Sequence, residues 1–210
     1  AHGFLADGSL NQTVDTVVRM PSEAEKIRLI IREYGDEFSQ DMPRVRRKTA
    51  GGAANIHELL RSDHRGRYPF ELLQNAHDAC SSMGDRSGKV WFVWSDHALH
   101  VADNGTGFDG ESVDALVGFG NTTKSGDAST IGYKGIGFIS VYELTDRPQI
   151  ATHHGINFGF DRGLARERKI PPSWLPLEIP GSDFGQDESL VQGLLGQGAT
   201  TVIRLPFRLG

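Results

Sequence analysis

Glu71-Leu-Leu-Gln-Asn75-Ala-His-Asp78-Ala79 and, about two dozen residues later, Asp103-Asn-Gly105-Thr-Gly107-Phe108 are the two most informative runs of this chain. As a helix, the first run carries Glu71, Asn75 and Asp78 at i, i+4 and i+7 on one face, while Leu72, Leu73, Ala76 and Ala79 can pack against a sheet. A carboxylate and an amide then point into one cleft. The second run follows a strand-like segment, Lys89–Trp94, a turn at Ser95-Asp96 and a shorter strand, Leu99–Ala102. It reads as a strand ending in a glycine-rich turn with an acid at its mouth, where Gly105 and Gly107 permit positive φ and close backbone approach.

The rest of the chain is consistent with a globular domain around that cleft. The 210 residues can bury one substantial core, and 38% hydrophobic with 23% charged residues excludes a disordered or membrane-embedded class. No apolar run approaches the roughly 20 residues that span a bilayer, and the N-terminus lacks the basic-then-apolar layout of a secretion signal. A cytoplasmic protein with no membrane partner is expected. The sole cysteine, Cys80, leaves no internal disulfide and reads as packing. A net charge of −5 argues against a broad nucleic-acid surface. Arg44-Val-Arg-Arg47-Lys48 reads as a solvated linker, with a phosphate contact or partner groove as the alternative. His153 and His154 are adjacent and diverge if they lie in a strand, and His57, His64 and His77 lack a recognisable ligand spacing.

Along the chain, residues 1–21 read as arm or loop. Ser22 with Glu25 forms a capping-box signature for a helix over about 22–40, with Ile27, Leu29, Ile30, Ile31 and Tyr34 as its apolar residues. A short helix is expected over 53–61, another near 111–118 and a third over about 136–142. Further strands are expected at 149–152, 156–161 and 200–205, with an irregular insertion over 171–180. The organisation is therefore an N-terminal arm and helix, 1–50, and a main domain, 51–210. The missing initiator Met and the end at Gly210 read as a piece of a longer polypeptide. The mixture predicts an α+β, two-layer sandwich with helices on one face of a mixed, mostly antiparallel sheet.

A third motif, Gly132-Tyr-Lys134-Gly135-Ile136-Gly137-Phe138, completes a pattern. ELxxNAxDA, DNGxGF and this glycine-rich run, in that order, resemble the GHKL ATPase superfamily of gyrase B, heat-shock chaperones, MutL, MORC proteins and histidine kinases. The resemblance covers roughly 51–208 and implies a Bergerat-type fold. Gly120-Asn-Thr-Thr-Lys124-Ser125 and the run Ile131–Tyr142 are most similar to its sacsin and NO VEIN branch.

The resemblance implies ATP and Mg2+ as ligands, with Asn75 as the metal ligand; an amide oxygen is a hard donor that suits this ion. It makes Glu71 the residue that polarises the attacking water and gives Asp78 a part in ordering the pocket. Asp103 becomes the adenine reader, because a carboxylate can accept from the exocyclic amine that guanine lacks at that position. Gly132, Gly135, Ile136, Gly137 and Phe138 stand where backbone amides before a helix could surround phosphate oxygens. Lys124 and Lys134 could reach the γ-phosphate or simply be solvated. Thr200 matches a late threonine near the base, with Thr201 as the neighbouring alternative. Residues 118–131 stand where the superfamily places its ATP lid.

These roles imply slow ATP hydrolysis that drives lid closure, with an ATP-dependent homodimer and an unknown client as partners, inside a larger chaperone-like or MORC-like protein. A non-hydrolysing ATP-binding sensor or scaffold is the alternative. A histidine-kinase-type phosphotransferase stands third, because Glu71 is present and a phospho-acceptor helix pair is not evident.

Overall fold

Six strands pair into one sheet in a computed structural model that describes residues 19–38, 42–63, 66–83, 87–118 and 134–208. They are β1 (Val90–Trp94), β2 (Ala98–Asp103), β3 (Gln149–Thr152), β4 (Asn157–Gly159), β5 (Leu177–Ile179) and β6 (Thr201–Pro206), in the spatial order β1-β2-β6-β3-β4-β5. The sequence predicts a mixed, mostly antiparallel sheet; every described pairing is antiparallel.

The period of two along the central strands sorts the side chains onto two faces. Leu99, Val101 and Asp103 of β2 stand opposite Leu205, Ile203 and Thr201 of β6, and all face the helices. Against this face pack α1 (Glu23–Glu37), α3 (Tyr68–Ser81), α4 (Gly110–Val117) and α5 (Lys134–Ile139), which a 3-10 turn, Ser140–Glu143, continues. The result is an α+β, two-layer sandwich. Its core holds Ile27, Ile31, Tyr34 and Phe38 from the α1 region, together with Leu72, Val113, Phe138 and Tyr142. Burial of this many large apolar side chains is the main stabilising term.

The expected capping box is present: the Ser22 hydroxyl accepts from the Glu25 N–H, and the Glu25 carboxylate accepts from the Ser22 N–H at 2.7 Å. The basic linker is not found. Arg44–Asp63 is one helix, α2, so the division drawn at residue 50 falls inside it. Gly51 and Gly52 each weaken a helix by about 1 kcal/mol relative to alanine, but Ala50, Ala53 and Ala54 flank them and the helix continues. Another expectation changes at α3, where Leu72 and Ala76 are buried but Leu73 points outward.

The reverse face of the sheet is covered in part by α7 (Glu188–Gly196) and the irregular 3-10 stretch before it, Gly181–Asp187. Trp91, Val93, Ala102, Ala151 and Val202 meet Phe184, Val191 and Leu194 there in a second, smaller cluster. A short helix, α6 (Arg162–Arg168), and a 3-10 turn, Pro172–Trp174, link β4 to β5. No helix among the described residues is long and apolar enough to cross a membrane.

Candidate functional site

A cavity of about 240 Å3 opens between α3, the β2–β6 centre of the sheet and α4. Its apolar wall comes from Leu72, Ala76, Val101, Leu116, Phe138 and Ile203, and its polar groups from Asn75, Asp78, Ser82, Asp103, Thr106, Ser112 and Thr201. This combination of an apolar lining with a few convergent polar groups is the usual character of a small-molecule site.

Asp103 is the central polar group. It ends β2 on the helical face, is only 7% exposed, and accepts the Gly105 N–H on Oδ1 at 2.9 Å. Burial pushes its carboxyl up to about 6, against the lowering effect of that hydrogen bond. No side-chain donor reaches it among the described residues, so a carboxylate with acceptor capacity to spare looks into the cavity.

The loop after β2 is held tightly from behind. The Thr106 N–H donates to the Ala79 carbonyl at 3.2 Å. A Cβ on Gly105 would lie 2.6 Å from both the Ala79 carbonyl carbon and its Cβ, while Gly107 has φ +79° and no room beside His153. Asn104 turns away from the cavity: its Oδ1 accepts the Lys89 N–H at 2.6 Å and its Nδ2 donates to the Ser87 carbonyl. These contacts lock the loop to α3 and to the start of β1.

On α3, Asn75 is half-buried and lines the cavity, and its amide makes no hydrogen bond among the described residues. Asp78 lines the mouth, exposed, with its carboxylate 3.5 Å from His77 Nδ1. Glu71 lies outside the cavity lining. Its Oε2 would be 2.6 Å from a Cβ on Gly137, and its Oε1 is 3.8 Å from Arg67 Nε. The third motif thus abuts the carboxylate through a glycine.

The two threonines divide their tasks. The Thr200 hydroxyl donates to the Gly105 carbonyl at 2.9 Å, and its N–H donates to the Asp103 carbonyl at 2.8 Å. Thr201, buried and directly opposite Asp103 in the β2–β6 register, lines the cavity. Of the other residues singled out in the sequence, Phe138 lines the cavity and Lys134, Gly135 and Ile136 begin α5. Lys124, Gly132 and the 118–131 segment beyond Gly118 lie outside the described residues.

Sequence reasoning passed over Thr106, Ser112 and Leu116. Asp109 accepts the Ser112 N–H at 2.7 Å and caps α4; an Asp-Gly-x-Ser cap is a legible signal, and it places Ser112 over the site. His153 and His154 do not diverge, because they occupy a turn after β3 and not a strand; their rings lie 3.9 Å apart. Cys80 is packed as expected, its Cβ side filled against Gly88, and burial raises its thiol.

A family model, the Sacsin domain, matches residues 53–161, just over half of the chain, and the chain belongs to that family. Protein NO VEIN of Arabidopsis thaliana is 34% identical over 155 residues, which cover 72% of this chain and 5% of that protein. The chain thus spans a small fraction of this relative's length. The family match contains Glu71, Asn75, Asp103 and Gly137 and stops before β6, so Thr200 and Thr201 come to the site from outside it.

Proposed function

We propose that this domain binds ATP with magnesium in the cavity beside Asp103 and hydrolyses it slowly. The observation that carries the reading is the buried Asp103 carboxylate, fixed by the Gly105 N–H and otherwise facing an apolar cavity. Such a group needs a donor, and the exocyclic amine of adenine is one where guanine presents a carbonyl. Thr201 beside it offers a hydroxyl to the same ligand.

The residues present fit a hydrated divalent cation at one end of the site. Asn75 holds an amide oxygen without a protein donor and Asp78 an exposed carboxylate one turn on, both at the cavity lining. When bound, the cation would neutralise charge on phosphate oxygens. The role of this chain is to orient: Asp103 and Thr201 fix the base, Asn75 aims an oxygen, and the Glu71 carboxylate accepts a proton from water. The sequence of 118–131 would supply the lid, and its closure would serve conformational change in a larger chaperone-like protein.

Isothermal calorimetry tests the binding. ATP with Mg2+ should bind better than GTP, and Asp103→Asn should weaken ATP, because a donor then faces the amine. Equal affinity for the two nucleotides would remove Asp103 from this role. A second reading, ATP binding without hydrolysis, is favoured by the placement of Glu71 against Gly137 and outside the cavity lining. Phosphate release under single-turnover conditions separates the two.

A further inference from the structure

The two edges of the sheet are built in opposite ways. The β5 edge is three residues long, stands between Pro176 and Pro180, and carries Glu178, whose carboxylate pairs with Arg28 of α1 at 3.1 Å. Short length, proline, charge and a covering helix are the devices that stop a strand edge from recruiting another chain. At the opposite edge, β1 has none of them among the described residues: Val90-Trp-Phe-Val-Trp94 is a run of five β-formers with no charge, proline or glycine.

The backbone of β1 is open at alternate residues. Asn104 N–H donates to the Lys89 carbonyl and Ser95 N–H to the Ala98 carbonyl, which fixes the phase of the β1–β2 ladder. Lys89, Trp91, Val93 and Ser95 therefore turn their backbone groups toward β2. The N–H and C=O groups of Val90, Phe92 and Trp94 turn outward, and none has a partner among the described residues. On the helical side of the same strand Trp94 is 64% exposed and Phe92 37% exposed.

We propose that the β1 edge binds the β1 edge of a second copy of this chain, antiparallel and centred on Phe92. In that register Phe92 faces Phe92 of the second copy and Val90 faces Trp94, so the open residues of one strand meet the open residues of the other. About six backbone hydrogen bonds close the join. The interface is isologous and shuts on itself as a two-fold dimer. Exposed aromatic side chains gather into cross-strand pairs.

Charge selects the same arrangement. Lys89 before the strand and Asp96 after it are both exposed. Antiparallel self-pairing sets each Lys89 opposite Ser95 of the second copy and one residue from its Asp96, at both ends of the join. Parallel pairing would align like charges. A strand from an unrelated protein could also use the open groups, but the matched phase, the flanking charges and the short apolar run favour the second copy.

Sedimentation velocity across a concentration series tests this on the 210-residue chain. The wild type should move from monomer to dimer. Phe92→Pro removes an outward N–H and the exposed ring while sparing the N–H groups that bond to β2, and should abolish the dimer. Trp94→Lys, at a well-exposed side chain, should weaken it by about tenfold or more; circular dichroism verifies that both variants are folded. Register is read by oxidation. Phe92→Cys should give a disulfide-linked dimer, because directly opposed residues stand about 5.5 Å apart between Cα atoms. Trp94→Cys, displaced from its own copy, should not, and the wild type with its buried Cys80 gives the background. A wild type that stays monomeric, a dimer untouched by both Phe92→Pro and Trp94→Lys, or cross-linking at position 94 in preference to 92 would overturn the proposal.

Discussion

Gly105 donates its N–H to Asp103 Oδ1 at 2.9 Å, and the same glycine lies so close to Ala79 of α3 that a Cβ would stand 2.6 Å from its carbonyl carbon. One residue therefore sets both the orientation of the buried carboxylate and the separation between helix and strand. Gly105→Ala should displace α3 or the loop, since the two nearest obstructing atoms, the Ala79 carbonyl carbon and Cβ, cannot swing aside. We expect a loss of stability of about 1–3 kcal/mol and weaker nucleotide binding, measured by urea unfolding and calorimetry; unchanged values for both would show that the loop yields freely.

Asp103 also predicts a pH dependence. Burial pushes its carboxyl from 3.8 to about 6, so the folded state keeps a proton that the unfolded chain has lost. Between these values the native state binds more protons, and the contribution to stability falls as pH rises. It is complete below about pH 4 and gone above about pH 6, a span on the order of 3 kcal/mol. Asp103→Asn has no such titration. Urea unfolding of both proteins from pH 4 to pH 7.5 should show the variant gaining on the wild type as pH rises; a constant difference would mean that Asp103 titrates normally.

Glu71→Ala should leave ATP bound and slow its cleavage by roughly a hundredfold or more, the usual contribution of a positioned general base. Calorimetry and single-turnover phosphate release read the two effects separately. Loss of binding in a folded variant would make Glu71 a positioning group.

Gly137→Ala approaches the same carboxylate from the other side. Its new Cβ would press on Glu71 Oε2, the mobile end of a side chain, so the carboxylate shifts while the fold survives. Turnover should fall with little change in melting temperature. A loss of stability as large as that of a core substitution would instead place the strain in α5.

The reverse face offers a stability test remote from the cavity. Asp187 Oδ2 accepts from Arg204 Nη2 at 2.6 Å and from Nε at 2.9 Å, and lies 3.7 Å from the fully buried His100. Burial raises the Asp187 carboxyl, but hydrogen bonds from Arg204 and Ser95 and the Arg204 charge outweigh it and leave it below its usual value. Asp187→Ala strands the arginine in a largely buried position and should cost about 3–5 kcal/mol, seen as a lower urea midpoint. A loss under about 1 kcal/mol would show that water replaces the carboxylate.

Local patterns were enough to set out much of this protein. The 3.6-residue period put Asn75 and Asp78 on a shared side of α3, next to the buried Leu72 and Ala76 that line the same cavity, the capping box started α1, and alternation with turn residues marked the hairpin of β1 and β2. These are interactions within a few residues, so their information is present in the chain itself. Other features required the tertiary structure, because they depend on pairs distant in sequence. The register of β2 against β6 turned Thr201 toward the cavity and Thr200 toward the Gly105 carbonyl, a choice that a one-residue slip would reverse. Packing set Glu71 against Gly137 and left β1 at an edge of the sheet. An apolar strand looks the same in sequence whether it is central or lateral; only the order of the strands determines which backbone groups remain open.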